Sequence, residues 1–129
     1  MANADLARAV EHYRGLAPRY DHFTRRINRI RRRAIEALQL EPGQTVLDAG
    51  CGTGWCLPLL ARKVGPRGRV LGFDPSPEML AIARERVAAQ DGARIELQQA
   101  SGERVVLPAR ADAILFSYTH DLIRSPEAL

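Results

Sequence analysis

Asp48 opens a run of chemistry-bearing residues. In VLDAGCGTG (46–54) it is followed by Gly50, Gly52 and Gly54 at alternate positions, with Cys51 between the first two, and a second acid, Asp74, comes 24 residues after Gly50. Glycines at such a turn let a ligand approach the main chain closely, and they present backbone N–H groups to its polar atoms. An acid ending a second strand can accept both hydroxyls of a ribose. In register, these features point to a nucleoside-containing ligand at the carboxyl edge of a sheet. Further on, His120 and Asp121 follow a fourth apolar stretch, ADAILFS (111–117). A neutral imidazole there can act as general base for an O–H or N–H nucleophile, with Phe116, Ser117 and Tyr118 lining the same place. The plainer reading of His120, a surface histidine beside a helix cap, stays open.

The loop also discriminates among nucleosides. A phosphate-cradling loop ends in GK[ST], whereas Gly54 is followed by Trp55 and Cys56. The dinucleotide pattern GxGxxG needs glycine where Trp55 stands, and Asp48 would face a pyrophosphate unfavourably. An acid suits a cationic amine. S-adenosylmethionine (SAM) has an ammonium, a sulfonium and a ribose diol but no phosphate.

The elements that must position these groups alternate. The segment 45–49 (TVLDA) reads as a buried strand and 54–64 as a helix with Leu57, Leu60 and Val64 inward and Pro58 in its first turn. A Gly65–Gly68 turn leads to a strand over 69–74. Ser76 then caps a helix with Pro77 at its first position and Glu78 beside the positive end of the dipole; Leu80, Ala83 and Val87 face inward. Residues 94–99 are a third strand, a polar loop follows, and 111–117 is the fourth strand. SPEAL (125–129) resembles the start of another helix. This rhythm is that of an α/β fold with a Rossmann-like parallel sheet and right-handed crossovers.

Ahead of the sheet, 1–40 reads as an N-terminal helical cap and 41–129 as the ligand-binding domain. The second helix of the cap carries Phe23, Ile27, Ile30, Ala34 and Leu38 as one apolar stripe, with Arg25, Arg26, Arg29, Arg32 and Arg33 around the rest. Residues 1–40 hold nine arginines against four acids, and the remainder ten basic residues against eleven acids. The whole basic excess thus lies in the cap. It is either a solvated face or a surface for anionic lipid; nucleic acid is disfavoured because aromatics are absent among those arginines after Phe23.

Strand, DAGCGTG and the following helix, with GFDPSPEMLAIARERV (72–87), resemble the class I (Rossmann-like) SAM-dependent methyltransferases of small molecules and lipids. The resemblance covers roughly 40–117 well and the N-terminal helices loosely. It implies that Asp48, Gly50, Cys51, Gly52 and Gly54 lie along the methionine part of SAM, that Asp74 holds the ribose, and that Pro75 and Met79 flank the adenine. In the stretch ASGERVVLP, Ser101, Gly102 and Glu103 occupy the loop where many relatives use an aspartate to meet the adenine amine; Ser101 departs from that pattern. Tyr20, in YDHF, resembles a tyrosine that relatives fold over the cofactor. The implied sheet order is 3-2-1-4, about four strands of the family's seven.

The bulk composition fits. At 129 residues, 46% hydrophobic and 26% charged, the chain has material for one small core, and no apolar run reaches a membrane span. Two cysteines, Cys51 and Cys56, are too few for a disulfide framework and lack metal-ligand spacing, so no metal is expected and a cytoplasmic setting is the default. Four strands leave 111–117 as a hydrophobic edge. Two expectations follow: a methyltransferase acting on a small molecule or lipid, or a non-catalytic SAM-binding half that dimerises or needs a partner to complete the sheet.

Overall fold

The computed structural model describes residues 25–90 and 92–116. In chain order they form α1 (Arg25–Ala37), β1 (Thr45–Ala49), α2 (Leu57–Val64), β2 (Arg69–Asp74), α3 (Pro77–Val87), β3 (Arg94–Gln99) and β4 (Ala113–Phe116). The strands make one parallel sheet in the order β3-β2-β1-β4. Helices inserted between successive strands put the carboxyl ends of β1 and β2 at the same edge, where Asp48 and Asp74 sit.

Strand register sorts the side chains onto two faces. Val46 is level with Val70 and Ala113, and Asp48 with Gly72 and Leu115. This face meets the helices: Val46, Val70 and Leu115 join Leu57, Leu60, Val64, Leu80 and Ala83 in the main core, with Ile35 from α1. The opposite face presents Leu47, Ala49, Leu71 and Phe73 to Val105, Leu107, Ala109 and Ala111. The stretch expected to be a polar loop therefore covers a sheet face with every second residue. Phe73 is a core residue, 3% exposed.

Local chemistry explains the element ends. The Met79 N–H donates to Ser76 Oγ at 3.2 Å, which caps α3 behind Pro77. Gly65, in a positive-φ conformation, closes α2. At the start of β4 the Thr45 N–H donates to Asp112 Oδ2 at 2.8 Å, and the Asp112 N–H donates to the Thr45 carbonyl at 2.7 Å. That two-way clip sets the β1–β4 register.

Three expectations need correction. The helix after the glycine loop begins at Leu57, because residues 52–56 form tight turns. The fourth strand pairs only over Ala113–Phe116 among the described residues. The apolar stripe of α1 is met only in part: Ala34 and Leu38 pack against the core as expected, but Ile30 is 62% exposed and the fully buried residue is Ile35. A helix places residues four apart on one face, so Arg31 shares the buried face with Ile35.

Candidate functional site

The loop after β1 takes its shape from three glycines in the left-handed region, with φ of 70° at Gly50, 56° at Gly52 and 78° at Gly54. Side-chain-bearing residues pay a steric cost there. The spaces around two of them differ. A Cβ on Gly54 would lie 2.9 Å from both the Ala83 Cβ and the Leu57 Cδ1, so this glycine lets the loop pack directly against α3. A Cβ on Gly52 would meet nothing within 4 Å, so its open side is available to a ligand.

Asp74 fastens this loop to the turn after β2. The Gly52 N–H donates to its Oδ2 and the Ser76 N–H to its Oδ1, each at 2.9 Å. A carboxylate offers about four acceptor positions, so two remain for a diol. Burial raises the Asp74 pKa, opposed by the same two backbone N–H groups. The Ala100 N–H donates to the Asp74 carbonyl at 3.1 Å, which brings the turn after β3 to the same edge. Within that turn the Ser101 carbonyl accepts from the N–H groups of Arg104 and Val105. Ser101 and Gly102 are half-buried and Glu103 is exposed; Pro75 is exposed and Met79 buried at the start of α3.

Asp48 is the outlier. It is 1% exposed, and its Oδ1 has no hydrogen-bond partner among the described residues. Burial pushes its pKa up to about 7; the positive charge of Arg31 pulls against that, and the negative charge of Asp74 adds to it. A buried acceptor without a donor is costly, and a cationic amine would satisfy it. Next to it, burial drives the Cys51 thiol far up, reinforced by Asp48 and Asp74, so it stays protonated. Cys51 and Cys56 are both buried thiols.

The structure thus brings Asp48, Gly50, Cys51, Gly52, Asp74, Pro75, Met79, Ser101 and Gly102 to one sheet edge. Tyr20, Ser117, Tyr118, His120 and Asp121 lie outside the described residues. Two residues near the site are not evident from sequence patterns. Arg31 looks like one of many solvated arginines, and Trp55 like a bar to dinucleotides alone. In the structure the guanidiniums of Arg31 and Arg32 lie 5.9 and 5.5 Å from the Trp55 ring centroid. The signal for Arg31 was its four-residue spacing from Ile35.

Known proteins resemble this chain in sequence and in fold. The family described as "Methyltransferase domain" matches residues 46–129. The arsenite methyltransferase of Halobacterium salinarum is 43% identical over 75 residues, which are 58% of this chain and 19% of that protein. The aklanonic acid methyltransferase of a Streptomyces species is 36% identical over 99 residues, 76% of this chain and 44% of that one. The chain therefore spans less than half the length of these relatives. A SAM-dependent methyltransferase from Aquifex aeolicus has a similar structure, with a TM-score of 0.66 and 29% identity over 75% of this chain and 53% of its own. A SAM-dependent methyltransferase from Thiobacillus denitrificans in complex with S-adenosyl-L-homocysteine aligns at a TM-score of 0.54 and 28% identity, over 64% of this chain and 33% of its own.

Proposed function

The chain belongs to the class I SAM-dependent methyltransferases, whose cofactor is SAM, and on that premise we propose that it serves methyl transfer to a small-molecule or lipid acceptor. The observation that carries this reading is the pair of acids at one sheet edge. Asp74 keeps acceptor positions for the ribose diol after clamping two turns, and Asp48 holds a buried oxygen in need of a donor such as an ammonium. When bound, SAM supplies a methyl group already activated by its sulfonium. The residues of this chain then have mainly to bind, orient and exclude water. Gly52 leaves room along the backbone, Pro75 and Met79 would flank the adenine, and the Ser101–Glu103 turn would offer its polar groups to the adenine amine. His120 is proposed as the base where the acceptor needs one. A small organic acceptor is supported by the names of relatives that methylate aklanonic acid and demethylmenaquinone.

Titration calorimetry with SAM, S-adenosylhomocysteine and NAD tests this. Asp74→Ala should weaken SAM by about 1–3 kcal/mol, the worth of charge-assisted hydrogen bonds, or about fivefold to about 150-fold. Unchanged affinity would remove Asp74 from the site, and heat with NAD alone would overturn the reading.

A second reading has its own observation. On β4, Ile114 is 45% and Phe116 55% exposed, on the face shared with Leu47 and Ala49. A SAM-binding half completed by a second copy at this edge would cover them. Size-exclusion chromatography separates the two readings: a dimer that Phe116→Lys dissociates supports self-association, and a monomer at high concentration refutes it.

A further inference from the structure

One cation enters the interior beside the candidate site. Arg31 of α1 is 9% exposed. Its Nη1 donates to Asn28 Oδ1 one turn earlier, at 3.1 Å, and its guanidinium rests 5.9 Å from the centroid of Trp55. Trp55 directly follows Gly54, so the ring links α1 to the loop that carries the ligand-facing glycines. A guanidinium over an aromatic face is held electrostatically, more strongly where water is excluded. Arg32 lies over the same ring but stays exposed. The neighbouring residues Arg31 and Arg32 thus both lie close to the Trp55 ring, and of the two only Arg31 reaches the interior.

The other end of this arrangement is Asp48, on the helical face of β1. A buried carboxylate with an unpartnered oxygen is poorly stabilised as an anion unless a cation stands near it. Among the described residues, the charges that act on Asp48 are Arg31 from α1 and Asp74 from β2, with opposite effects. The Cys51 thiol beside it remains protonated, and Arg84 of α3 acts on that thiol. Among the described residues, Arg31 is therefore the group that favours the charged form of Asp48.

We propose that Arg31 is a positioning residue for the cofactor site: docked on Trp55, it keeps Asp48 ionised so that the carboxylate can receive the ammonium of the cofactor's methionine moiety near neutral pH. This rests on the SAM-binding reading above. The carboxyl's value of about 7 already includes the pull of Arg31, so removing that charge moves its titration higher. Arg31 is assigned no contact with the ligand; it acts through Asp48.

The test pairs two ligands. S-adenosylhomocysteine keeps the ammonium, and 5′-methylthioadenosine has the nucleoside without the amino-acid part. Each is titrated by calorimetry from about pH 6 to about pH 8.5 against wild type, Arg31→Met, Arg31→Lys and Asp48→Asn. In wild type, S-adenosylhomocysteine should tighten as pH rises through neutrality. Arg31→Met should move that rise to higher pH by about one pH unit, which is about a fivefold loss at neutrality, about tenfold near pH 6, and shrinks toward high pH. Arg31→Lys should restore most of the wild-type profile. Asp48→Asn should bind S-adenosylhomocysteine weakly and without pH dependence, and adding Arg31→Lys to it should change nothing. Binding of 5′-methylthioadenosine should be the same in all four proteins, which also reports that each is folded.

An equal loss of both ligands at every pH in Arg31→Met would show a merely structural arginine and overturn the proposal, as would a profile parallel to wild type. Should Arg31→Met not fold, Arg31→Gln, which keeps a donor for Asn28 Oδ1 but carries no charge, decides in the same way: its profile should move to higher pH, and a profile parallel to wild type would overturn the proposal. Failure of wild type to bind either ligand would refute SAM binding itself, whereas binding with no Arg31 effect would remove only the role of Arg31.

Discussion

Asp48→Asn should stabilise the ligand-free protein increasingly as pH rises. The side chain is fully buried, and burial raises its pKa from 3.8 to about 7 against the pull of Arg31. A raised pKa means that the folded state binds the proton more tightly than the unfolded chain. The stability this gives is fully present below the unfolded pKa near 3.8. It is lost as pH rises through the folded value of about 7, after which both states are ionised and no further change follows. At about 1.4 kcal/mol for each pH unit between those two values, the full loss is about 4 kcal/mol. Asparagine has nearly the same shape and no proton to lose, so the variant lacks this pH dependence. It does carry a pH-independent cost, because Arg31 loses its anion. The slope, not the offset, is therefore diagnostic. Urea unfolding of both proteins between about pH 5 and about pH 8 should show the difference in unfolding free energy moving in favour of Asp48→Asn by about 2–3 kcal/mol. Groups remote from Asp48 contribute equally to both proteins, so the difference reports Asp48 together with its coupling to Asp74. Parallel stability curves would show that Asp48 titrates at an ordinary value and would refute the reasoning.

Two further stability tests concern the loop and its supporting helix. Gly54→Ala combines a positive φ with a Cβ 2.9 Å from Ala83 and Leu57, and should cost about 2–4 kcal/mol. Gly52→Ala meets open space and should cost only about 1–2 kcal/mol from its φ; equal losses in thermal unfolding would contradict the packing role given to Gly54. Ser76→Ala removes the acceptor of the Met79 N–H and should destabilise the protein by about 1 kcal/mol in urea, and an unchanged midpoint would mean that the cap is dispensable.

Much of the fold could be read locally. The first three strands fall on the expected residues, 45–49, 69–74 and 94–99, because short apolar runs between glycine or proline turns have few other uses. The cap at Ser76 and Pro77 needs only side-chain chemistry within one turn. The face of α1 was not legible. Isoleucines at both 30 and 35 support two stripes about one residue apart, and only contact with the core selects Ile35. The segment 105–111 was equally obscure: its Val, Leu, Ala, Ala alternation is diluted by Arg and Pro, and it reads as a strand-like cover only once the face of Leu47 and Leu71 is known to need one.

The candidate site divides along the same line. Sequence by itself determined that two acids and three glycines stand at the ends of two adjacent strands, because spacing along a strand–helix–strand unit leaves little freedom in where they fall. It also determined that the ligand they suit is a nucleoside with a cation and no phosphate. Only the tertiary structure decided that Gly54 serves packing while Gly52 faces open space, and that Arg31 leaves the solvated arginines to stand with Trp55 and Asp48. Burial and charge coupling depend on distances between residues on different elements, and a rotation of α1 by a single residue would have put another side chain in the place of Arg31 over Trp55.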